Sequence, residues 1–242
     1  MNTVVRRVAT VMAAAALLLA GVACTSGNRD GGDGDGDGQS AAESIEIDGA
    51  TALASSVHVE AQGCSLRPRI GGGGFVAPNL VLTVAHVVAG SKTITVRLPD
   101  GTTTSASLVA IDRAKDLAVL SVIAPQIDPV QVGTMQVGAH GAYVVLRDEQ
   151  PVVQHSSTVS YVDLDVPGLD DDATDLRRGY QLDADVKRGD SGSLIISGGR
   201  VTAVIFATST AAGGRAWATD ATEANPLLQA QPVSAVGSGA CA

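Results

Sequence analysis

The chain has 242 residues, a formal net charge of −9, and 45% hydrophobic residues with only 2% aromatics. It is long enough to bury a real core, which must be built from Val, Ile, Leu and Ala. The acidic balance speaks against nucleic-acid binding, which needs a basic face.

The N-terminus reads as an export signal over residues 1–23. Arg6 and Arg7 form a positive start, Val8 to Ala20 is apolar, and Gly21-Val22-Ala23 gives a small-residue ending. The apolar run is short for a membrane span. Cys24 follows directly and fits a bacterial lipobox, whose thiol is acylated, although Gly21 stands where that motif usually carries a larger aliphatic residue. The expectation is a lipidated Cys24 holding the protein on the outer face of the cytoplasmic membrane. The alternative is a soluble secreted or periplasmic protein. Residues 24–52 include Gly31-Gly32-Asp33-Gly34-Asp35-Gly36-Asp37-Gly38 and read as a flexible tether. The Asp-Gly alternation is not a complete calcium loop, because the twelfth position from Asp33 is Ser44 rather than Glu.

Residues 53–242 read as one folded domain. Short apolar runs separated by Pro78-Asn79, Asp100-Gly101, Pro167-Gly168 and Gly198-Gly199 predict many short strands. Strands are expected at 56–59, 74–77, 80–84, 93–98, 105–111, 117–122, 142–146, 154–162, 180–184, 194–197 and 200–207. A short helical turn is expected after His86 and a helix over 222–229. This pattern fits antiparallel barrels or sandwiches.

Three short motifs carry the chemistry. Thr83-Val84-Ala85-His86 ends an apolar run with a histidine, Asp116 opens Leu117-Ala118-Val119-Leu120, and Gly189-Asp190-Ser191-Gly192 puts a serine between glycines. A serine hydroxyl needs a base to become a nucleophile, and the base needs an acceptor to fix its tautomer. The order His, Asp, Ser assigns these roles to Ser191, His86 and Asp116. The rival carboxylate, Asp112, ends a strand and fits a turn cap better. The backbone N–H groups of Gly189 and Ser191 are expected to form an oxyanion hole. Arg69-Ile70-Gly71-Gly72 looks like a zymogen cleavage site but lies close before His86, so Asp190 is left with no evident cationic partner. Cys24 is the odd cysteine of three, and Cys64 with Cys241 makes the simplest disulfide in an oxidising compartment.

These residues resemble the trypsin/chymotrypsin-like (PA clan) serine proteases of bacterial type. More narrowly, they resemble the periplasmic protease domain of the mycobacterial acid-resistance group. The matching stretches are Gly74-Phe75-Val76, Thr83 to Gly90, Asp116 to Val122, Asp183 to Val186, Gly189 to Gly192 and Val236 to Cys241. The resemblance covers roughly residues 57–242. It implies an all-β fold of two six-stranded antiparallel barrels with a short C-terminal helix, and endopeptidase activity through His86, Asp116 and Ser191. It also implies a Cys64–Cys241 bond and substrate-binding positions at Asp185, Phe206 and Ala207. Asp185 lies six residues before the serine, where trypsin itself selects basic side chains, but no preference for Arg or Lys follows here. Two features depart from the group: it has an N-terminal membrane-spanning domain, and many relatives carry Gly-Pro where this chain has Ser193-Leu194.

The expected partners are a protein or peptide substrate and, through the anchor, a membrane. No nucleic acid, cofactor or metal is expected, and the protein is expected to be a monomer. The competing function is a catalytically weak protease-fold lipoprotein that binds or senses. An esterase is a third reading, since the same site chemistry cleaves esters.

Overall fold

The computed structural model describes residues 36–63, 65–124, 126–167, 174–208 and 215–229. The expected signal over 1–23, Cys24, Cys64 and Cys241 lie outside the described residues.

The first element corrects the sequence expectation. Helix α1 spans Gly36–Ser55, so the tether expected over 24–52 is helical from Gly36 onward and the folded part begins before residue 53. The Asp-Gly tract ends at Gly38, and the residues that follow are rich in Ala, Glu and Ile. Those residues tolerate or favour a helix. Asp48, Gly49, Ala52 and Ser55 are buried at spacings of one helical turn, which gives the helix an inward face. Asp48 is decisive there. Its two carboxylate oxygens accept the backbone N–H groups of Gly198 and Gly199 at 2.9 and 2.8 Å.

Among the described residues, twelve strands form two closed antiparallel barrels. The first contains β1 (Ser56–Gln62), β2 (Arg69–Ala77), β3 (Leu80–Thr83), β4 (Thr93–Arg97), β5 (Thr103–Asp112) and β6 (Leu117–Val122), in the order β1-β2-β3-β6-β5-β4. The second contains β7 (His140–Arg147), β8 (Gln150–Pro167), β9 (Thr174–Asp183), β10 (Leu194–Ser197), β11 (Arg200–Thr208) and β12 (Arg215–Asp220), in the order β10-β11-β12-β9-β8-β7. Closure pairs the edges within each barrel. The one-turn helix α2 (Ala85–Val88) follows β3, and a 3-10 turn (Ala221–Ala224) leads into α3 (Asn225–Gln229). Asp220 caps that turn by accepting from Thr222 N.

Val, Ile and Leu fill both barrels, as the scarcity of aromatics requires. Val59, Leu82, Val96, Leu117 and Leu120 are buried in the first, and Leu182, Ile195 and Ile205 surround the buried Tyr143 in the second. Ile70 lies inside β2, paired with Glu60 of β1, so the Arg69-Ile70 step belongs to a regular ladder.

Two parts of the sheet pattern were not expected. Strand β12, with the sequence Arg-Ala-Trp-Ala-Thr-Asp, lacks the β-branched run that marks the others. Strands β8 and β9 also run much further than 154–162 and 180–184. Strand β12 pairs with β9 only from Gly179 to Asp183, so the outer part of the β8–β9 hairpin is a two-stranded arm. Leu164 and Val166 of that arm pack against the buried apolar cluster that runs from the first barrel into the second.

Candidate active site

Helix α2 seats His86 by burying its neighbours Ala85, Val87 and Val88. Asp116 lies in the tight turn between β5 and β6 and adopts a left-handed backbone, with φ 55°. Strain of this kind in a non-glycine residue costs free energy and persists where its surroundings hold it. Here they do. The Asp116 carbonyl accepts from Ala85 N at 3.1 Å, and its carboxylate accepts from His86 N at 2.8 Å. The other carboxylate oxygen lies 2.7 Å from His86 Nδ1. The Asp116 side chain is 2% exposed and that of His86 34%. An ionised carboxylate on Nδ1 places the proton there and leaves Nε2 as the free base. Asp112 accepts from Lys115 N at 2.9 Å and caps the turn, the lesser role its position suggested.

Ser191 arrives from the second barrel on a turn that lies against β2. Gly72 N donates to the Ser191 carbonyl at 2.8 Å. A Cβ at Gly71 would sit 2.5 Å from that carbonyl oxygen and 2.9 Å from Val87, so Ser191 is next to the helix that carries His86. Gly189, with φ 99°, adopts a conformation that a side chain would strain. Among the described residues, neither the Gly189 nor the Ser191 N–H is engaged in a hydrogen bond, while Asp190 N and Gly192 N are both taken, by Lys187 O and Ile205 O. The Ser191 hydroxyl donates to the Phe206 carbonyl at 3.4 Å. Phe206 is the bulged residue at the register shift between Ile205 and Ala207, and the bulge aims its carbonyl off the regular ladder.

The partner of Asp190, missing from the sequence reading, is Arg147 at the end of β7. The pair is bidentate, with Nη1 and Nη2 each 2.6 Å from a carboxylate oxygen. Asp190 is 2% exposed and also accepts from Lys187 N. Its carboxylate holds the Arg147 guanidinium above the usual range. The geometry is the strong fork-on-fork type, which sets orientation as well as attraction. Ser193 adds a second tie to β7 by donating to the Val144 carbonyl at 2.8 Å. Ser193 therefore has a partner.

The substrate-side positions divide. Asp185 is exposed and its carboxylate is 3.1 Å from Lys187 Nζ, at the surface. Phe206 is buried with its carbonyl on Ser191 and its ring beneath the Arg177 guanidinium. Ala207 lies in β11, paired with Trp217. Arg147 and Arg177 were missed because each reads in sequence as one charge in a polar turn or arm.

Two closed six-stranded barrels with this fold are chymotrypsin-like, and the chain belongs to the trypsin-like peptidase family, whose domain model matches residues 71–204. Among its relatives, the serine protease Rv3671c of Mycobacterium tuberculosis is 33% identical over 190 residues, covering 73% of this chain. The chain spans about half (47%) of that protein's length. The crystal structure of the active form of the Rv3671c protease superposes with a TM-score of 0.76 at 26% identity, covering 83% of this chain and 91% of that one. The inactive form superposes with a TM-score of 0.66 at 26% identity, covering 77% and 93%. Among the described residues no helix is long and apolar enough to cross a membrane.

Proposed function

We propose that the protein is an exported serine endopeptidase that uses His86, Asp116 and Ser191. The observation that carries this reading is the 2.7 Å bond from His86 Nδ1 to a buried Asp116, beside a serine turn packed on the same β2 glycines. In the reaction the Ser191 hydroxyl leaves its resting bond to the Phe206 carbonyl and turns to Nε2. The hydroxyl then loses its proton to Nε2 as Oγ attacks the substrate carbonyl carbon. The oxyanion is received by the free N–H groups of Gly189 and Ser191. The imidazolium, held by Asp116, returns the proton to the leaving amine, and water cleaves the acyl-enzyme by the reverse steps. The Arg147–Asp190 pair supports the shape of the turn from within the chain, so the reading requires no new N-terminal ammonium. Bonds of this kind to pre-set donors are worth several kcal/mol in the transition state, about 3 for one oxyanion donor.

Residues 1–23 are proposed as the signal, Cys24 as the lipid-anchored residue, the folded part from α1 onward as the protease domain, and Cys64–Cys241 as a disulfide. Intact-mass analysis of protein from the exported fraction tests the lipid on Cys24 and the disulfide. An unmodified Cys24 or a pair of free thiols at 64 and 241 would remove the corresponding proposal.

The activity is tested by incubating the protein and its Ser191→Ala variant with an unbiased peptide library and reading products by mass spectrometry. Internal cleavage by the wild type and none by the folded variant is expected. Equal cleavage by both would end this assignment, and cleavage of aryl esters alone would make the protein an esterase.

A further inference from the structure

We propose that Arg177, on the β8–β9 arm, is a positioning residue for the His86–Asp116 pair and sets the acid limit of the enzyme's activity. This rests on the assignment of His86 as base and Asp116 as its orienter.

The arm brings Arg177 from the second barrel to the first, and its side chain is only 5% exposed there. Its Nε donates to the Ala114 carbonyl at 2.8 Å, which pins the turn that carries Asp116. Its Nη1 lies 3.5 Å from Asp116 Oδ2, the same oxygen that accepts from His86 Nδ1. Its guanidinium carbon sits 5.2 Å from the centre of the Phe206 ring, whose backbone carbonyl holds the Ser191 hydroxyl. One side chain thus touches the base's acceptor, the backbone beside it and the residue that parks the nucleophile.

This is a poor way to stabilise a fold. Nη2 is buried with no hydrogen-bond partner among the described residues, and the ion pair is long. A buried cation with an unmet donor is costly, and an apolar side chain on the same ring would avoid that cost. The arrangement makes physical sense through its effect on Asp116. A second cation beside Oδ2 helps to hold the carboxylate in place against the imidazole. It also sets a fixed positive charge against the one that forms on His86 during the reaction.

The other charged groups around the pair are placed differently. Arg69 of β2 donates to the main-chain carbonyls of His86 and Ala89. Lys115 holds Glu223 at 2.6 Å. Asp112 accepts from the main chain of Lys115. Among the described residues, Arg177 is the cation besides His86 that reaches the Asp116 carboxylate.

The test follows the rate of labelling by a fluorophosphonate probe from pH 4.5 to 8 in the full-length protein and its Arg177→Gln and Arg177→Lys variants. In Arg177→Gln the acid limb is expected to move up by about one pH unit, the size of effect a charge a few ångströms away produces. The plateau rate is expected to fall by about tenfold, as misplaced catalytic groups do. Arg177→Lys should keep the limb near its wild-type position, because the charge remains, and still lower the plateau, because one ammonium cannot hold both Ala114 and Asp116. A limb that stays put in a folded Arg177→Gln protein overturns the inference while leaving the catalytic assignment intact. If Arg177→Gln fails to fold, the Lys variant decides alone: a wild-type plateau there overturns the inference. Wild-type protein that takes no label, or labels with no acid limb, overturns the assignment of His86 and the inference with it.

Discussion

The two barrels hold their shares of the site by different means. On the first barrel, His86 and Asp116 are brought together by the pairing of β3 with β6. The Asp116 carbonyl and both carboxylate oxygens meet Ala85 and His86 where the paired strands β3 and β6 adjoin. On the second barrel, the Ser191 turn depends on long-range ties, since Asp190 is held by Arg147 and Ser193 by Val144, both on β7. The histidine side is held by hydrogen bonds from α2 to Asp116, with the long Arg177 contact beside them, and the serine side by a close bidentate charge pair. The serine side should therefore be the easier one to inactivate without touching a reacting group.

The largest expected effect sharpens that contrast. Arg147→Met should leave the Asp190 carboxylate buried and unpaired, which costs about 3 kcal/mol or more. Peptide hydrolysis should fall sharply because the turn reshapes, while the His86–Asp116 bond stays in place. A denaturant titration and a turnover assay check the two halves. Full activity in a folded Arg147→Met protein would show that the turn holds itself.

A smaller effect separates fold support from site support. Asp48→Ala removes the acceptor of two turn N–H groups at Gly198 and Gly199. It should cost about 1–2 kcal/mol, visible as a lower Tm. Turnover measured well below Tm should be unchanged, since that hairpin turn lies at the far end of β10 from Ser191. A lost activity with an unchanged Tm would reverse the assignment of Asp48 to the fold.

The division between the barrels also explains what was legible in sequence. Ser191, His86 and Asp116 stand out because each sits at the boundary of a turn and an apolar run, where a polar residue needs a reason. Asp116 was separable from Asp112 on that ground, and the structure gives Asp112 only a cap. Arg147 and Arg177 carry no such mark. Arg147 sits in the charged stretch Arg147-Asp148-Glu149, and Arg177 in Asp175-Leu176-Arg177-Arg178, and both read as solvated. Their roles come from tertiary pairing across tens of residues, which one sequence does not display. Helix α1 was hidden for a different reason: the Asp-Gly tract beside it dominated the local composition, and its one inward charge, Asp48, has its partners in the β10–β11 turn.

The smallest expected effect concerns acid and the first barrel. Burial pushes His58 of β1 below its ordinary range, against an opposing pull from Glu60 and with a further push from Arg97. The unfolded chain then binds more protons than the folded one near pH 6, so stability rises with pH there. This contribution is present above the ordinary histidine value and is lost as pH falls below about 6.5. Melting curves from pH 7.5 to 5 should show Tm falling, and the His58→Gln protein should fall less. Parallel curves for the two proteins would assign the acid sensitivity elsewhere.

The central claim is that Ser191 is a nucleophile activated by His86. It is tested most directly by treating the protein with a fluorophosphonate and locating the adduct by peptide mass spectrometry. The account predicts one adduct, on Ser191, at near-stoichiometric yield, with labelling slowed at least about a thousandfold in a folded His86→Ala protein. An adduct on another residue, or labelling of Ser191 at an undiminished rate without His86, would contradict it.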